Sequence, residues 1–258
     1  MRERKVEQAL KTERIVRTAK LAGRLLLENG AETYRVEDTV KYICNTYGLQ
    51  EVNVISLPTG TIYSFTDEDG VPHSEVIRTK VRTTNLACVA QVNDLSRRMT
   101  SGEMSLEEGY RRLQALQCLG PQPLWQGLLA NVMSTSFFAL LFGADWFDFI
   151  IAAVCGVAMR FLGLLFDEDS ISSTMYALLA GALSSIITVG SIKLFGMGNQ
   201  TAIISGAIMP LIPGLAITNA IRDTVNGDLV SGVARTADAL LKAVAIAAGV
   251  GVVIALWR

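Results

Sequence analysis

The chain has 258 residues, half of them hydrophobic and 18% charged, with a net charge of −1. A balance this close to neutral, with no basic stripe interleaved with aromatics, argues against a nucleic-acid partner. Cys44, Cys88, Cys118 and Cys155 are scattered without a CxxC pair, which argues against a zinc or disulfide framework and for free thiols. The charge is unevenly placed. Up to Pro123 there are 17 Lys/Arg and 16 Asp/Glu, and from Leu124 onward only 6 and 8. One half is therefore built for water and the other for lipid.

The opening MRERKVEQALKTER lacks the apolar core of a signal peptide, so the first half is expected to stay in the cytoplasm. From residue 4 to 29, Val6, Leu10, Ala19, Ala22 and Leu26 recur at helical spacing, and Asn29-Gly30 supplies the stop. A second helix carries Val36, Val40, Ile43 and Tyr47 on one side and closes at Gly48. Extended runs follow at 51–57, 60–66 and 73–81, the last two joined through Asp67-Glu68-Asp69-Gly70, a hairpin turn. Two helices finish this half. One runs over 85–100 and stops at Gly102; the other opens on Ser105-Leu106-Glu107-Glu108, which fits a capping box. Pro121 and Pro123 then break the chain. The order ααβββαα predicts a small α+β domain over residues 1–120.

Five apolar segments follow, at 124–142, 146–166, 172–195, 201–221 and 236–257. Each is close to the ~20 residues that cross a bilayer core as a helix, and none has the polar stripe of a soluble helix. The expected fold is an α-helical membrane protein: five transmembrane helices over residues 121–258, preceded by the small cytoplasmic domain. Five spans would place Arg258 outside. The expected inner connections are Asp167-Glu168-Asp169 and 222–235. Small residues at helix-packing spacing, Ala177/Gly181 and Ala245/Gly249, imply close helix contacts.

Two features inside these segments carry chemistry. Met209-Pro210-Leu211-Ile212-Pro213-Gly214 removes backbone donors in mid-span. Such a break either is a simple proline kink or marks the unwound backbone where transporters place their sites. The second feature is ionisable groups at membrane depth: Arg160, Lys193, Asp238 and Lys242. Asp238 and Lys242 are four apart and can pair with each other. Arg160 has no such local partner; it either snorkels towards Asp167–Asp169 or holds a substrate carboxylate.

The stretch from Gly23 to Glu37, GRLLLENGAETYRVE, resembles the opening signature of the threonine/serine exporter family. Pro58-Thr59, Val92-Asn93-Asp94-Leu95-Ser96-Arg97 and Leu106-Glu107-Glu108 also match. So do Pro213-Gly214, Asn219-Ala220, Asp223, Gly227, Gly232 and Arg235 in the second half. The resemblance implies a secondary transporter in a bacterial cytoplasmic membrane, exporting a small carboxylate metabolite such as succinate, threonine or serine. It also implies the larger subunit of a split form, working with a separate, smaller membrane subunit; a homo-oligomer is the alternative assembly.

On this reading Arg160, Pro213, Gly214 and Asn219 are the candidate substrate-binding residues. Asp223, Arg235, Asp238 and Lys242 are candidates for gating or coupling, and Glu32, Arg35 and Glu37 for a domain interface. Two other functions compete. In one, the soluble domain is a sensor or scaffold that the spans anchor. In the other the protein is a tethered hydrolase, but His73 is the lone histidine and there is no GxSxG, P-loop or HExxH. No catalytic residue, metal or cofactor is therefore expected.

Overall fold

The computed structural model describes residues 2–67, 69–79, 83–117, 123–166 and 172–257, with side chains from residue 6 onward. In chain order its elements are α1 (Arg2–Glu28), α2 (Thr33–Thr46), β1 (Gln50–Leu57), β2 (Gly60–Thr66), β3 (Pro72–Arg78), α3 (Leu86–Thr100) and α4 (Leu106–Gln117). Then come α5 (Leu124–Leu141), α6 (Trp146–Leu165), α7 (Ser173–Phe195), α8 (Gln200–Ile208), a 3-10 turn (Met209–Leu211), α9 (Gly214–Val225) and α10 (Leu229–Leu256). The chain forms two compact units. One comprises residues 1–120 and 215–236, the other 121–214 and 237–258.

In the first unit, β1, β2 and β3 form an antiparallel sheet in sequence order. Alternation sends Val54, Tyr63 and Phe65 into a core shared with α1–α4, and leaves Ile55, Ile62 and Val76 in register on the open face. The hairpin turn forms where expected: Asp67 N donates to Val71 O and the Asp67 carboxylate accepts from Asp69 N and Val71 N. His73 is absorbed by that turn. Its Nε2 lies 2.9 Å from Asp67 Oδ2 and its ring stacks on Phe65. The hydrogen bond from His73 holds the Asp67 carboxyl below its ordinary range.

Three details depart from the sequence reading. Val6 and Leu10 are exposed, because the core gathers around the later turns of α1, where Ile15, Ala19, Ala22 and Leu26 are buried. The capping box at α4 is only half present. Ser105 Oγ accepts from Glu108 N, but the Glu108 carboxylate turns to Arg111 and Arg112, whose charges outcompete a neutral amide. A complete capping box stands instead at α6, between Asp145 and Asp148.

The second unit is held by close backbone approach. A Cβ on Gly206 of α8 would come within 2.6 Å of Ala139 Cα on α5, and one on Gly156 of α6 within 2.6 Å of Thr135 Oγ1. At the predicted small-residue positions, Gly181 faces Ile246 O and Gly249 faces Leu178 O. Packing of this kind suits helices in lipid, where burial of apolar surface supplies no driving force between them. Asp148, fully buried, ties two loops together by accepting from Asp145 N and Asn199 N. Large apolar side chains such as Trp125, Leu141, Trp146 and Leu194 point outward.

Among the described residues, four helices are long and apolar enough to cross a membrane: α5, α6, α7 and α10, with mean hydropathies of 1.3, 2.0, 1.8 and 2.4. The expected span at 201–221 is instead two helices, Gln200–Leu211 with its 3-10 end and Gly214–Val225, which give a fifth span only if the broken pair is counted as one. The break sits at Ile212, whose backbone is extended (φ −66°, ψ 125°) because Pro213 disfavours a helical residue before it.

Candidate functional site

The residues with the most structured polar environment lie in the first unit, where α9 and the first turns of α10 pack on the α1–α2 corner. The packing inverts the usual arrangement of an apolar helix. On α9, Ile217, Ile221 and Val225 are 43%, 61% and 79% exposed, while Asn219, Ala220 and Asp223 are 3%, 2% and 0% exposed. The polar side of α9 is its buried side. For that reason residues 215–236 fold with residues 1–120, although composition alone assigns them to the membrane half.

The α1–α2 corner offers backbone groups to this polar face. Gly30 adopts φ +87°, which ends α1 and turns its carbonyl towards Asn219 Nδ2 at 2.9 Å. The neighbouring Ala31 carbonyl accepts from Arg235 Nη2 at 3.0 Å. Helix α2 then begins without a side-chain cap of its own, since Glu32 stands at the N-cap position and makes no capping bond. The vacant role is filled from α9. Asp223 Oδ1 accepts from Thr33 N at 3.2 Å and Asp223 Oδ2 from Thr33 Oγ1 at 2.9 Å. A carboxylate at a helix N-terminus satisfies an orphan amide and meets the favourable end of the helix dipole.

Asp223 is also paired with Arg235, Nε to Oδ2 at 2.9 Å, with the arginine side chain 12% exposed. A buried carboxylate is tolerable here because it has a guanidinium, a hydroxyl and a helix terminus around it. Glu32 is freed from capping and takes Arg35 Nε at 2.7 Å on one oxygen and Arg222 Nη1 on the other. Burial pushes the Glu32 carboxyl up, but the Arg35 hydrogen bond and the two guanidinium charges outweigh it, so the net displacement is downward.

Glu37 joins the network through β1. Its Oε1 accepts from Ser56 N at 2.8 Å, and Ser56 O accepts from Ser231 Oγ of α10 at 3.1 Å. Burial, reinforced by the charge of Asp228, raises the Glu37 carboxyl above its ordinary range. Burial and then Asp223 do the same to Asp228. The α9–α10 turn is tight: Gly227 has φ +94°, and a Cβ on Gly232 would run into Thr224 Oγ1 and Ala220 O.

The structure thus brings Asn219, Asp223, Arg235, Glu32, Arg35 and Glu37 into one network. It does not bring Arg160 or the Asp238–Lys242 pair into it. Lys242 Nζ donates to Asp238 Oδ2 at 2.9 Å, the local i,i+4 pair. Arg160, half-buried on α6, lays its guanidinium against Gly127 of α5, close enough that a Cβ there would meet Cζ at 2.8 Å. Its Nε is buried and has no hydrogen-bond partner among the described residues. Asp167–Asp169, the other expected neighbours of Arg160, lie outside the described residues, as do Cys118 and Arg258. Pro213 and Gly214 form the break already described, with Gly214 N donating to Ile212 O at 2.8 Å.

Sequence reasoning passed over Thr33, Arg222 and Ser231. Thr33 carried a usable signal, as a hydroxyl residue at a helix start whose partner is not local. Among the described residues there is no cluster of His, Cys, Asp and Glu able to hold a metal ion.

A family model described as "Putative threonine/serine exporter" matches residues 17–257. The chain is similar to a Mycobacterium tuberculosis protein named "Probable threonine/serine exporter", with 23% identity over 231 residues, 88% of this chain and 43% of that protein. It spans less than half the length of that relative. It is also similar to "Probable succinate transporter subunit YjjP" of Escherichia coli, with 22% identity over 239 residues and 91% of each chain covered. A Klebsiella aerogenes protein of the same name is 21% identical over 233 residues, 90% of each chain. No solved structure matches the chain.

Proposed function

Since this chain belongs to the threonine/serine exporter family, a family of transporters, we propose that it is a subunit of a secondary transporter exporting a small carboxylate metabolite across the cytoplasmic membrane. The first unit is on the cytoplasmic side, and α5, α6, α7, α10 and the broken α8–α9 pair make the five crossings. The carrying observation is the α9–α10 hairpin. It continues the chain directly from the Pro213-Gly214 break of α8, yet it is fixed to the soluble fold through Asp223, Arg235 and Asn219. A pathway helix whose continuation is clamped by polar bonds to a soluble domain is a physical means of passing movement between the two.

Arg160 holds the substrate carboxylate. Its guanidinium carries a permanent charge, and its Nε has no acceptor of its own among the described residues. Pro213, Gly214 and Asn219 border the route, and Asp223 with Arg235 serves as the gate. Asp238 and Lys242 contribute to coupling. Succinate, threonine and serine are the candidate cargoes, from the names of the relatives. A separate small membrane subunit is the expected partner, because the enterobacterial relatives of matching length are named as subunits.

The test is counterflow of labelled succinate, threonine and serine into vesicles holding this chain alone or with the small subunit. Uptake that needs both chains and disappears with Arg160→Ala supports the reading. Uptake by this chain alone contradicts the two-component assembly. Absence of uptake of all three under both conditions, with folded protein verified, contradicts the transporter reading itself and favours a sensor.

A further inference from the structure

The network around Asp223 borders a cavity whose wall also includes side chains, Arg35 and Asn93 among them, that make no bond to the hairpin. It has a volume of about 250 Å³ and opens between α2, α3 and α9. Its wall includes Glu32 and Arg35 from the start of α2, Asn93 and Val89 from α3, and Asn219 and Leu215 from α9. These come from three separate stretches of the sequence, and each of those stretches carries the resemblance to the exporter family. Packing of the three elements alone does not call for polar side chains around a void.

The chemistry of the wall is selective. Arg35 and Arg222 share the single Glu32 carboxylate, one on each oxygen. The Asn93 side chain is half-buried, and its carboxamide has no hydrogen-bond partner among the described residues. One turn from Asn93 on α3 and from Asn219 on α9, Val89 and Leu215 provide a short apolar surface. The volume lies below the range typical of sites for drug-sized ligands, roughly 300–1,000 Å³. It suits a compact metabolite.

We propose that this cavity is a binding site for a small aliphatic carboxylate, the carboxylate held by the Arg35 guanidinium and a second polar end by the Asn93 carboxamide. Identification of that ligand with the exported substrate rests on the function proposed above. In that case the site loads cargo on the soluble unit before it reaches the membrane helices. Glu32 has a positioning role, since its bond to Arg35 Nε fixes the plane of the guanidinium; Nη2 meets the Tyr34 hydroxyl at 3.4 Å, and Nη1 is left to the ligand.

The experiment is equilibrium dialysis of the full chain in detergent against labelled succinate, threonine and serine, followed by vesicle counterflow with the same variants. At least one compound binds the wild type, and Asn93→Leu, which fills the cavity with an apolar group, weakens binding about tenfold or more. Arg35→Gln does the same, and Arg35→Lys restores part of it; unchanged melting temperatures show that the fold is kept. The proposal is overturned if none of the three binds, or if Asn93→Leu binds as the wild type does. Transport with an unaltered KM in Asn93→Leu sinks the cavity while leaving the transporter standing. Cavity-dependent binding without any transport retains the site and sinks the transporter.

Discussion

Asp223 caps the helix that Thr33 begins, although the two residues are 190 positions apart in sequence. A cap is ordinarily local. Here it is supplied by a different helix, so the start of α2 is completed only when the α9–α10 hairpin is in place. Arg235 neutralises the cap and bonds the carbonyl of Ala31, which joins both arms of the hairpin to the same corner.

Removal of the cap should therefore destabilise more than a surface ion pair would. Asp223→Ala leaves Arg235 without its carboxylate and Thr33 N without an acceptor, at a cost of about 3–5 kcal/mol. Thr33→Val removes only the hydroxyl bond, about 1 kcal/mol. Denaturant unfolding of the full chain in detergent measures both. The double variant should fall short of the sum by more than about 0.5 kcal/mol, because the two residues share one interaction.

Gly232 is required by space. A methyl group at this position meets Thr224 Oγ1 and the Ala220 carbonyl, so Gly232→Ala should cost about 1–3 kcal/mol. Thr224→Ala added to it should recover part of that loss, and not all, since the carbonyl stays where it is. Thermal unfolding of the two variants against the wild type distinguishes partial rescue from none.

Glu37 gives a pH signature. Its carboxyl is raised from 4.5 by burial and then by Asp228, so between the unfolded and folded pKa values the native state holds the proton more tightly. Stability contributed by the neutral form is therefore present at low pH and lost as pH rises through the folded value. Glu37→Gln, which keeps an acceptor for Ser56 N, should match the wild type more closely at pH 4 and exceed it in stability at pH 7.5. Unfolding midpoints at the two pH values test the sign. Glu32 titrates the other way: its carboxyl is lowered, and its contribution is lost only as pH falls through the folded value.

Arg160 offers a test in the second unit. Arg160→Lys keeps a charge and loses the planar fork, and Arg160→Ala loses both. Counterflow should fall about tenfold for the first and below detection for the second, with unchanged insertion into vesicles. Equal rates for all three proteins would remove Arg160 from the substrate pathway.

Much of the first unit's fold could be read in advance because its signals are local. Gly30, Gly48 and Gly102 end helices by their own backbone freedom, Asp67 and Gly70 make a hairpin, and alternation places Val54 and Tyr63 inward. The same locality explains the failure at Ser105–Glu108, where Arg111 and Arg112 decided the outcome. What the apolar segment at 201–221 did not reveal is that its second half, α9, folds with the first unit. A hydropathy window counts apolar residues without asking which side of the helix is buried, and on α9 the buried side is Asn219 and Asp223. The cap on Thr33 could not be seen in any window, since no periodicity links residues so distant.

The most direct test of the account is the initial rate of counterflow for Asp223→Asn, measured beside the wild type at equal vesicle insertion and with the fold confirmed by melting. Asn keeps the shape of the cap but removes the charge that pairs with Arg235. If the docked hairpin passes movement from the soluble unit to the pathway, the rate falls by about tenfold or more, the equivalent of one lost charged contact of roughly 1.4 kcal/mol. A wild-type rate in a folded Asp223→Asn protein would mean that the hairpin is only a structural clamp, and would contradict the coupling at the centre of this reading.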